Sequence, residues 1–210
     1  MTAVAVIDFE TTGLSPGMGD RATEIGIVLL EGDTVVDRFQ SLMNAGVRIS
    51  AFIEAYTGIS NEMVARAPRA AQVMAEASRF VGGRPMVAHN ASFDRRFWIA
   101  ELERLGESPA QPFACTMLLS RRLYPQAPNY KLGSLATFHA IAASGRAHRA
   151  LADAETAAAL LGCIRGELRW RGVSEPRHEL LVKLQACTRK SVPRAIEQHL
   201  AATQGHRAPQ

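Results

Sequence analysis

Two carboxylates stand one residue apart at the end of an apolar run near the start of the chain. Residues 4–9 are rich in β-branched side chains and predict a buried strand, which Asp8 and Glu10 close. Because side chains alternate along a strand, Asp8 and Glu10 lie on the same face. Two adjacent carboxylates repel each other unless a cation lies between them, and a divalent metal ion is the usual one. The pair predicts a metal site; the alternative interpretation is a solvated acidic turn.

Three more residues that can bind a metal ion or transfer a proton stand next to predicted helix starts. Asp94 follows a short apolar strand at residues 85–88, in the first turn of the next helix. His148 comes just before another helix, and Asp153 lies in the first or second turn of that helix. Taken singly, the two acids could complement a helix dipole and the histidine could be a surface residue. Taken together with the first pair, they stand at the junctions where sites collect in open α/β sheets, which predicts one cleft.

The elements that carry these residues predict an α/β fold. Three strands come first, at residues 4–9, 23–30 and 34–42, and a tight turn at residues 31–33 predicts an antiparallel meander. Helical patterns follow at residues 51–56, 61–65, 69–81, 92–105, 116–123, 132–140 and 150–169, with short strands at residues 85–88 and near Phe113. Three antiparallel strands followed by alternating helices and strands predict a mixed central sheet, antiparallel and parallel, flanked by helices.

A short basic segment follows the predicted domain. The length of 210 residues and the hydrophobic content of 47% fit one globular domain with an appendage. Residues 172–210 contain six basic and three acidic residues, so they carry most of the net charge of +4. Two helical patterns, at residues 179–187 and 194–202, are separated by Pro193. We therefore expect a domain at residues 1–171 and a basic helical extension at residues 172–210.

Composition argues against several classes of protein. No apolar run approaches the ~20 residues of a membrane span, so a membrane partner is not expected. The N-terminal segment lacks the basic region of a signal peptide, which favours a cytoplasmic location. The three cysteines are far apart and form no C-x-x-C pair, so neither a disulfide framework nor a zinc site is expected.

Three motifs in this order are similar to those of a known family. They are DFETTG at residues 8–13, HNASFD at residues 89–94 and HRALAD at residues 148–153, and TGI at residues 57–59 also matches. Over residues 4–169 the chain resembles the DnaQ-like (DEDD) 3′→5′ exonucleases, the family of the proofreading epsilon subunit of bacterial DNA polymerase III. The histidine five positions before the last aspartate resembles the DEDDh subclass. The resemblance implies a ribonuclease H-like fold.

The resemblance also implies a set of roles. Two Mg²⁺ or Mn²⁺ ions are implied as cofactors. One ion would be bound by Asp8, Glu10 and Asp153; Asp8 would bridge to the second, with Asp94 near it. His148 would be the general base that takes a proton from water.

Residues that touch the substrate are implied less directly. Thr11, Gly58, Ile59 and Phe93 would lie near the terminal nucleotide, Leu14 could wedge between terminal bases, and Lys131 could reach a phosphate. Several of these have ordinary alternatives, since Ile59 and Phe93 could be core residues and Gly58 could end a helix.

The implied substrate is the 3′ end of single-stranded or frayed DNA, cleaved into nucleoside monophosphates during proofreading or repair. The TTG after Glu10 and the RALA after His148 are more similar to epsilon-type DNA enzymes than to RNA enzymes. The alternatives are an RNA-directed 3′→5′ exonuclease of the same superfamily and a non-catalytic module that binds nucleic acid or a polymerase. A DNA polymerase subunit and a second copy of the chain are candidate partners, with the basic extension as a contact surface.

Overall fold

A mixed five-stranded sheet forms the centre of the molecule. The computed structural model describes residues 3–142, 145 and 148–205. The strands are β1 (Val4–Thr11), β2 (Ala22–Glu31), β3 (Thr34–Leu42), β4 (Met86–Ala88) and β5 (Phe113–Cys115). Their order is β3-β2-β1-β4-β5. Strands β1 to β3 pair antiparallel, and β4 pairs parallel with both β1 and β5. The predicted mixed sheet is confirmed.

Helices cover both faces of this sheet. Within the described ranges they are α1 (Ala51–Thr57), α2 (Asn61–Arg66), α3 (Ala70–Val81), α4 (Ser92–Glu103), α5 (Thr116–Leu123), α6 (Leu132–Phe138), α7 (Ala150–Trp170), α8 (His178–Ala186) and α9 (Val192–Gly205). Alternate residues of β1 belong to two different cores. Val4 and Val6 pack with α5, α7 and α8, whereas Ala5 and Ile7 pack with α3 and α4. By the same alternation, Asp8 and Glu10 face the side of the sheet on which α7 lies.

Gly26 allows α7 to come close to the sheet. This residue lies opposite Asp8 in the pairing of β1 with β2. A Cβ atom at Gly26 would lie 2.3 Å from the backbone of both Ala150 and Leu151. Since real Cβ atoms are never this close to backbone, only glycine admits the helix here. The start of α7 is therefore held directly beside Asp8.

The segment after α7 packs on the fifth strand. The side chain of Gln185 on α8 donates to the Phe113 carbonyl at 2.9 Å and accepts from the Cys115 N–H at 2.6 Å. Leu180, Leu181 and Leu184 of α8 are buried in the core on the α7 side. The boundary at residues 171/172 stays a prediction.

The predicted separation of the last two helices by Pro193 is wrong. Helix α9 begins at Val192, so Pro193 lies in its first turn. The first-turn N–H groups of a helix have no intrahelical acceptor, and proline is tolerated there because it lacks only a group that would be unpaired. The gap between α8 and α9 lies at residues 187–191 and contains a short 3₁₀ turn. None of the helices in the described residues is long and apolar enough to cross a bilayer.

Candidate active site

The predicted acidic residues converge on one end of the sheet. Glu10 comes from β1, and Asp153 from the first turn of α7. Ligand atoms of Glu10, His148 and Asp153 all lie within 4.8 Å of one another. Asp94, in the first turn of α4, accepts a hydrogen bond of 3.1 Å from the backbone N–H of Phe9, between the two acids of β1. The two helix starts and the strand thus bring their carboxylates together.

His148 enters the site in an uncommon backbone conformation. Its φ is +62°, in the left-handed region that non-glycine residues rarely adopt. Its backbone N–H donates to Asp153 Oδ2 at 3.0 Å. This bond joins the histidine to the first turn of α7 and fixes one oxygen of the carboxylate. The five-residue spacing between His148 and Asp153 therefore allows the histidine backbone to hydrogen-bond to the aspartate side chain.

Burial and mutual repulsion raise the pKa values of the carboxyl groups. Burial, followed by the negative charges of Asp94 and Glu10, raises the pKa of Asp8 well above its usual range. Burial and then Asp153 raise the pKa of Glu10 to about 8. Burial raises the pKa of Asp94 to about 7, against the hydrogen bond from β1 that lowers it. A divalent cation bound among these oxygens would relieve the repulsion, and hard cations such as Mg²⁺ prefer such ligands.

Glu24 is a site-supporting residue that the sequence analysis missed. It lies opposite Glu10 in the β1–β2 register and is fully buried. Its carboxylate accepts from Arg149 Nη2 at 2.7 Å and from the Ala150 N–H at 3.1 Å. Glu24 thereby holds the start of α7 and pairs with Arg149, whose positive charge lowers the pKa of Glu10 only against the larger effects of burial and neighbouring acids. A charged residue inside an otherwise apolar strand was the signal that could have revealed it.

A second missed residue is Tyr56 on α1. Its ring centroid lies 4.0 Å from that of His148, with an angle of 36° between the ring planes. No sequence pattern indicates this contact, because it joins two segments 92 residues apart.

The predicted substrate residues lie in different environments. Thr11 is buried, and its hydroxyl donates to the Gly13 carbonyl at 2.6 Å. Gly58 ends α1 with φ of 72°, which favours glycine. Ile59 is fully buried in a small cluster with Ile49 and Val64. The roles of Thr11, Gly58 and Ile59 in substrate binding stay predictions.

The other candidates are more accessible. Phe93 is partly buried, with its ring centroid 5.0 Å from that of Phe97. Leu14 is 77% exposed. Lys131 lines a cleft of about 1320 Å³ that meets the acidic cluster at His148 and Asp153. The contacts of Phe93, Leu14 and Lys131 with substrate also stay predictions.

His89, the first residue of the second motif, supports the cleft wall. Its Nε2–H donates to the Tyr130 carbonyl at 3.0 Å, and its Nδ1 accepts from the Thr116 hydroxyl at 2.9 Å. Burial lowers the pKa of His89 to about 4, so the ring is neutral near pH 7. The ring ties the end of β4 to the loop before Lys131.

The sequence is similar to those of known exonucleases. The exonuclease family model RNase_T matches residues 5–161. The chain is 39% identical over 153 residues to DNA polymerase III PolC-type of Caldanaerobacter subterraneus subsp. tengcongensis, covering 73% of this chain and 11% of that protein. It is 38% identical over 151 residues to the 3′-5′ exonuclease DinG of Bacillus subtilis (strain 168), covering 71% of this chain and 16% of that protein. The chain thus spans only a small part of these two relatives.

Solved structures share the fold. Exonuclease X in complex with 5′ overhanging duplex DNA is 29% identical, with a TM-score of 0.69, and the match covers 87% of this chain and 99% of that one. The nuclease domain of 3′hExo, a DEDDh family member bound to rAMP, is 21% identical, with a TM-score of 0.64 and coverage of 78% and 91%. These likenesses confirm the predicted ribonuclease H-like fold, and the family match confirms the predicted enzyme class. Since that match spans more than half of the sequence, the chain belongs to the RNase_T exonuclease family, which confirms the predicted family resemblance.

Proposed function

We propose that this protein is a metal-dependent 3′→5′ exonuclease that releases nucleoside monophosphates from the 3′ end of single-stranded or frayed DNA. The observation that carries the proposal is the convergence of four carboxylates and one histidine in a single cluster, which meets a cleft at His148 and Asp153. DNA is favoured because the relatives include a DNA polymerase, and Exonuclease X was solved with DNA. Proofreading or repair would supply such ends.

Two Mg²⁺ or Mn²⁺ ions fit the donor set. Asp8, Glu10 and Asp153 would hold one ion, and Asp8 and Asp94 the other. All are carboxylate oxygens; burial raises the pKa of each carboxyl group, and neighbouring negative charges raise it further for Asp8 and Glu10. When bound, paired ions of this kind stabilise the attacking and leaving oxygens of a displacement at phosphorus.

His148 would act as the general base. Its imidazole would accept a proton from the water that attacks the terminal phosphorus, and the bond from phosphorus to the 3′ oxygen of the shortened strand would break. Histidine suits proton transfer near neutral pH. Two contacts would keep the start of α7 in place: the hydrogen bond from the His148 N–H to the Asp153 carboxylate, and the pair of Glu24 with Arg149.

The substrate end would have to be unpaired. A cleft that takes up a terminal nucleotide stacks its base on apolar side chains, which a paired base cannot reach. Thr11, Gly58, Ile59 and Phe93 would surround that nucleotide, Leu14 would separate it from its neighbour, and Lys131 would contact a phosphate along the cleft.

RNA is the second candidate substrate. The nuclease domain of 3′hExo, which shares the fold, was solved with rAMP, a ribonucleotide. A preference for DNA or RNA depends on a group that accepts or excludes the 2′-hydroxyl. A non-catalytic binding module is disfavoured because every residue of the three motifs that bears catalytic chemistry is present.

Partners and location are further parts of the proposal. A DNA polymerase subunit is the favoured partner because a PolC-type polymerase contains a similar region. The segment from α8 onward, which carries Lys183, Arg189 and Lys190, would provide the contact surface for a polymerase, a DNA strand or a second copy of the chain. A cytoplasmic location stays a prediction.

One experiment tests the activity directly. Wild-type protein and Asp8→Ala would be compared on 5′-labelled single-stranded DNA, duplex DNA with a 3′ mismatch, and RNA of the same sequence, each with Mg²⁺, Mn²⁺ or EDTA. We expect a ladder that shortens from the 3′ end, requires metal and is absent for Asp8→Ala. If Asp8→Ala degraded the substrates as fast as wild type, the proposed site would be refuted. If wild type digested RNA faster than DNA, RNA would be the proposed substrate in place of DNA.

A further inference from the structure

An aromatic ring from α1 lies against the histidine of the active site. The ring centroids of Tyr56 and His148 are 4.0 Å apart, and the planes are inclined by 36°. Aromatic pairs usually have centroids ~4.5–7 Å apart, so this is a close contact. We propose that Tyr56 is a positioning residue, whose ring fixes the orientation of the His148 imidazole for proton transfer. This inference rests on the proposed role of His148 as the base.

The hydrogen bond made by His148 does not fix the orientation of its imidazole. The backbone N–H of His148 is engaged by Asp153, but this bond places the main chain and not the ring. Among residues 3–142, 145 and 148–205, no hydrogen bond to the ring nitrogens of His148 is present, and the Tyr56 ring is the aromatic side chain in contact with it. A base must be oriented within hydrogen-bonding reach of the proton that it removes, so rotation of a ring can abolish its function without displacing its backbone.

Helix α1 is well suited to hold a fixed ring. Its first turn is capped by the Ser50 side chain, and it ends in a left-handed glycine at Gly58. Glu54, two residues before the tyrosine, accepts from the Asn61 side chain at 2.7 Å. The Asn61 side chain also donates to the Ile49 carbonyl at 2.8 Å. These bonds brace α1 between the loop before it and the helix after it.

Tyr56 contributes little to the core, which separates its effect on the site from an effect on folding. The residue is 52% exposed, and substitution of such a residue rarely changes stability by more than ~0.5 kcal/mol. The next ring on the same face of α1, Phe52, provides a matched control. It stacks on Tyr56 with centroids 6.2 Å apart and planes 7° apart, and it makes no ring contact with His148.

The test compares Tyr56→Leu, Tyr56→Phe and Phe52→Leu in the full-length chain with Mg²⁺ and single-stranded DNA. Misplacement of a reacting group by ~1 Å costs up to ~100-fold, so we expect Tyr56→Leu to lower kcat by about 10-fold or more while KM changes by less than about 2-fold. Tyr56→Phe keeps the ring and should restore kcat. Phe52→Leu should leave kcat within about 2-fold of wild type. Unfolding temperatures of all variants would be measured alongside.

A spectroscopic signature reports the contact without reference to activity. In protein with isotope-labelled histidine, the ring current of Tyr56 should displace the imidazole proton signals of His148, which are assigned by their loss in His148→Gln. The displacement should persist in Tyr56→Phe and vanish in Tyr56→Leu. If wild type degrades DNA and Tyr56→Leu has the same kcat, or if the displacement is absent from wild type, the positioning role is refuted. If wild type degrades nothing with any metal, the proposed function itself fails, and the positioning role fails with it.

Discussion

Replacement of Glu10 by glutamine should stabilise the metal-free protein in alkaline solution while weakening its response to metal. Burial and neighbouring acids raise the pKa of Glu10 from 4.5 to about 8. The folded protein therefore holds a proton that the unfolded chain releases as the pH rises from 4.5. Stability due to this group falls across that interval and is lowest above pH 8. Glutamine has a similar shape and no charge, so it removes this loss.

The size of the effect follows from the change in pKa. A displacement of about 3.5 pH units, at ~1.36 kcal/mol each, corresponds to about 5 kcal/mol when Glu10 is fully ionised. Burial is the largest cause of this displacement, and repulsion from Asp153, Glu24 and Asp94 is shared among these groups, so the substitution recovers only part of the free energy. We expect about 2 kcal/mol above pH 8. For a chain of this length that corresponds to an increase of about 4–8 °C in unfolding temperature.

Thermal unfolding from pH 5 to pH 9, with EDTA or with excess Mg²⁺ or Mn²⁺, measures this effect. Wild type should gain stability with metal, by about 2.7 kcal/mol at a concentration 100 times Kd, because the ion binds only the folded state. Glu10→Gln should gain much less. Glu103→Gln is the control, since Glu103 is exposed on α4. If Glu10→Gln unfolds at or below the wild-type temperature at pH 8.5 in EDTA, the argument from repulsion is refuted.

Three further substitutions test the parts that support the site. Gly26→Ala should push the start of α7 from the sheet, destabilise the protein by about 1–3 kcal/mol and abolish nuclease activity; an active variant would contradict the close approach. Arg149→Met leaves the buried Glu24 without its cation and should cost about 2 kcal/mol in a denaturant titration, less than for a fully buried pair because Arg149 is one-third exposed. Between pH 6.5 and about 4 the unfolded chain binds a proton at His89 that the buried ring of the folded protein does not bind, so the wild type loses stability on acidification. His89→Gln should lose less stability across this range, and identical pH profiles would contradict the burial argument.

Local patterns were sufficient to predict where the candidate site residues lie on the strand and the helices that carry them. Alternation along β1 placed Asp8 and Glu10 on one face, and helix starts placed Asp94 and Asp153 in first turns. These predictions succeed because the period of a strand and the beginning of a helix depend on residues close in sequence. The wrong prediction at Pro193 has the same basis, since proline ends a helix interior but is favoured in a first turn.

Contacts between distant segments could not be predicted in this way. The bond from Phe9 to Asp94 spans 85 residues, and that from Arg149 to Glu24 spans 125. The contact between the rings of Tyr56 and His148 joins segments 92 residues apart. Each depends on how whole helices pack on the sheet, which is set by the two cores and by the close approach at Gly26.

The two outer strands of the sheet are protected from other chains in different ways. Gln185 gives β5 one donor and one acceptor, as the backbone of a sixth strand would do, so α8 leaves this edge less open to an incoming strand. The opposite edge, β3, carries the exposed charges of Asp37 and Arg38, which discourage strand addition instead. A chain shortened to the family-matched residues 5–161 would keep the candidate site residues but lose α8, and we expect the uncovered edge of β5 to promote aggregation.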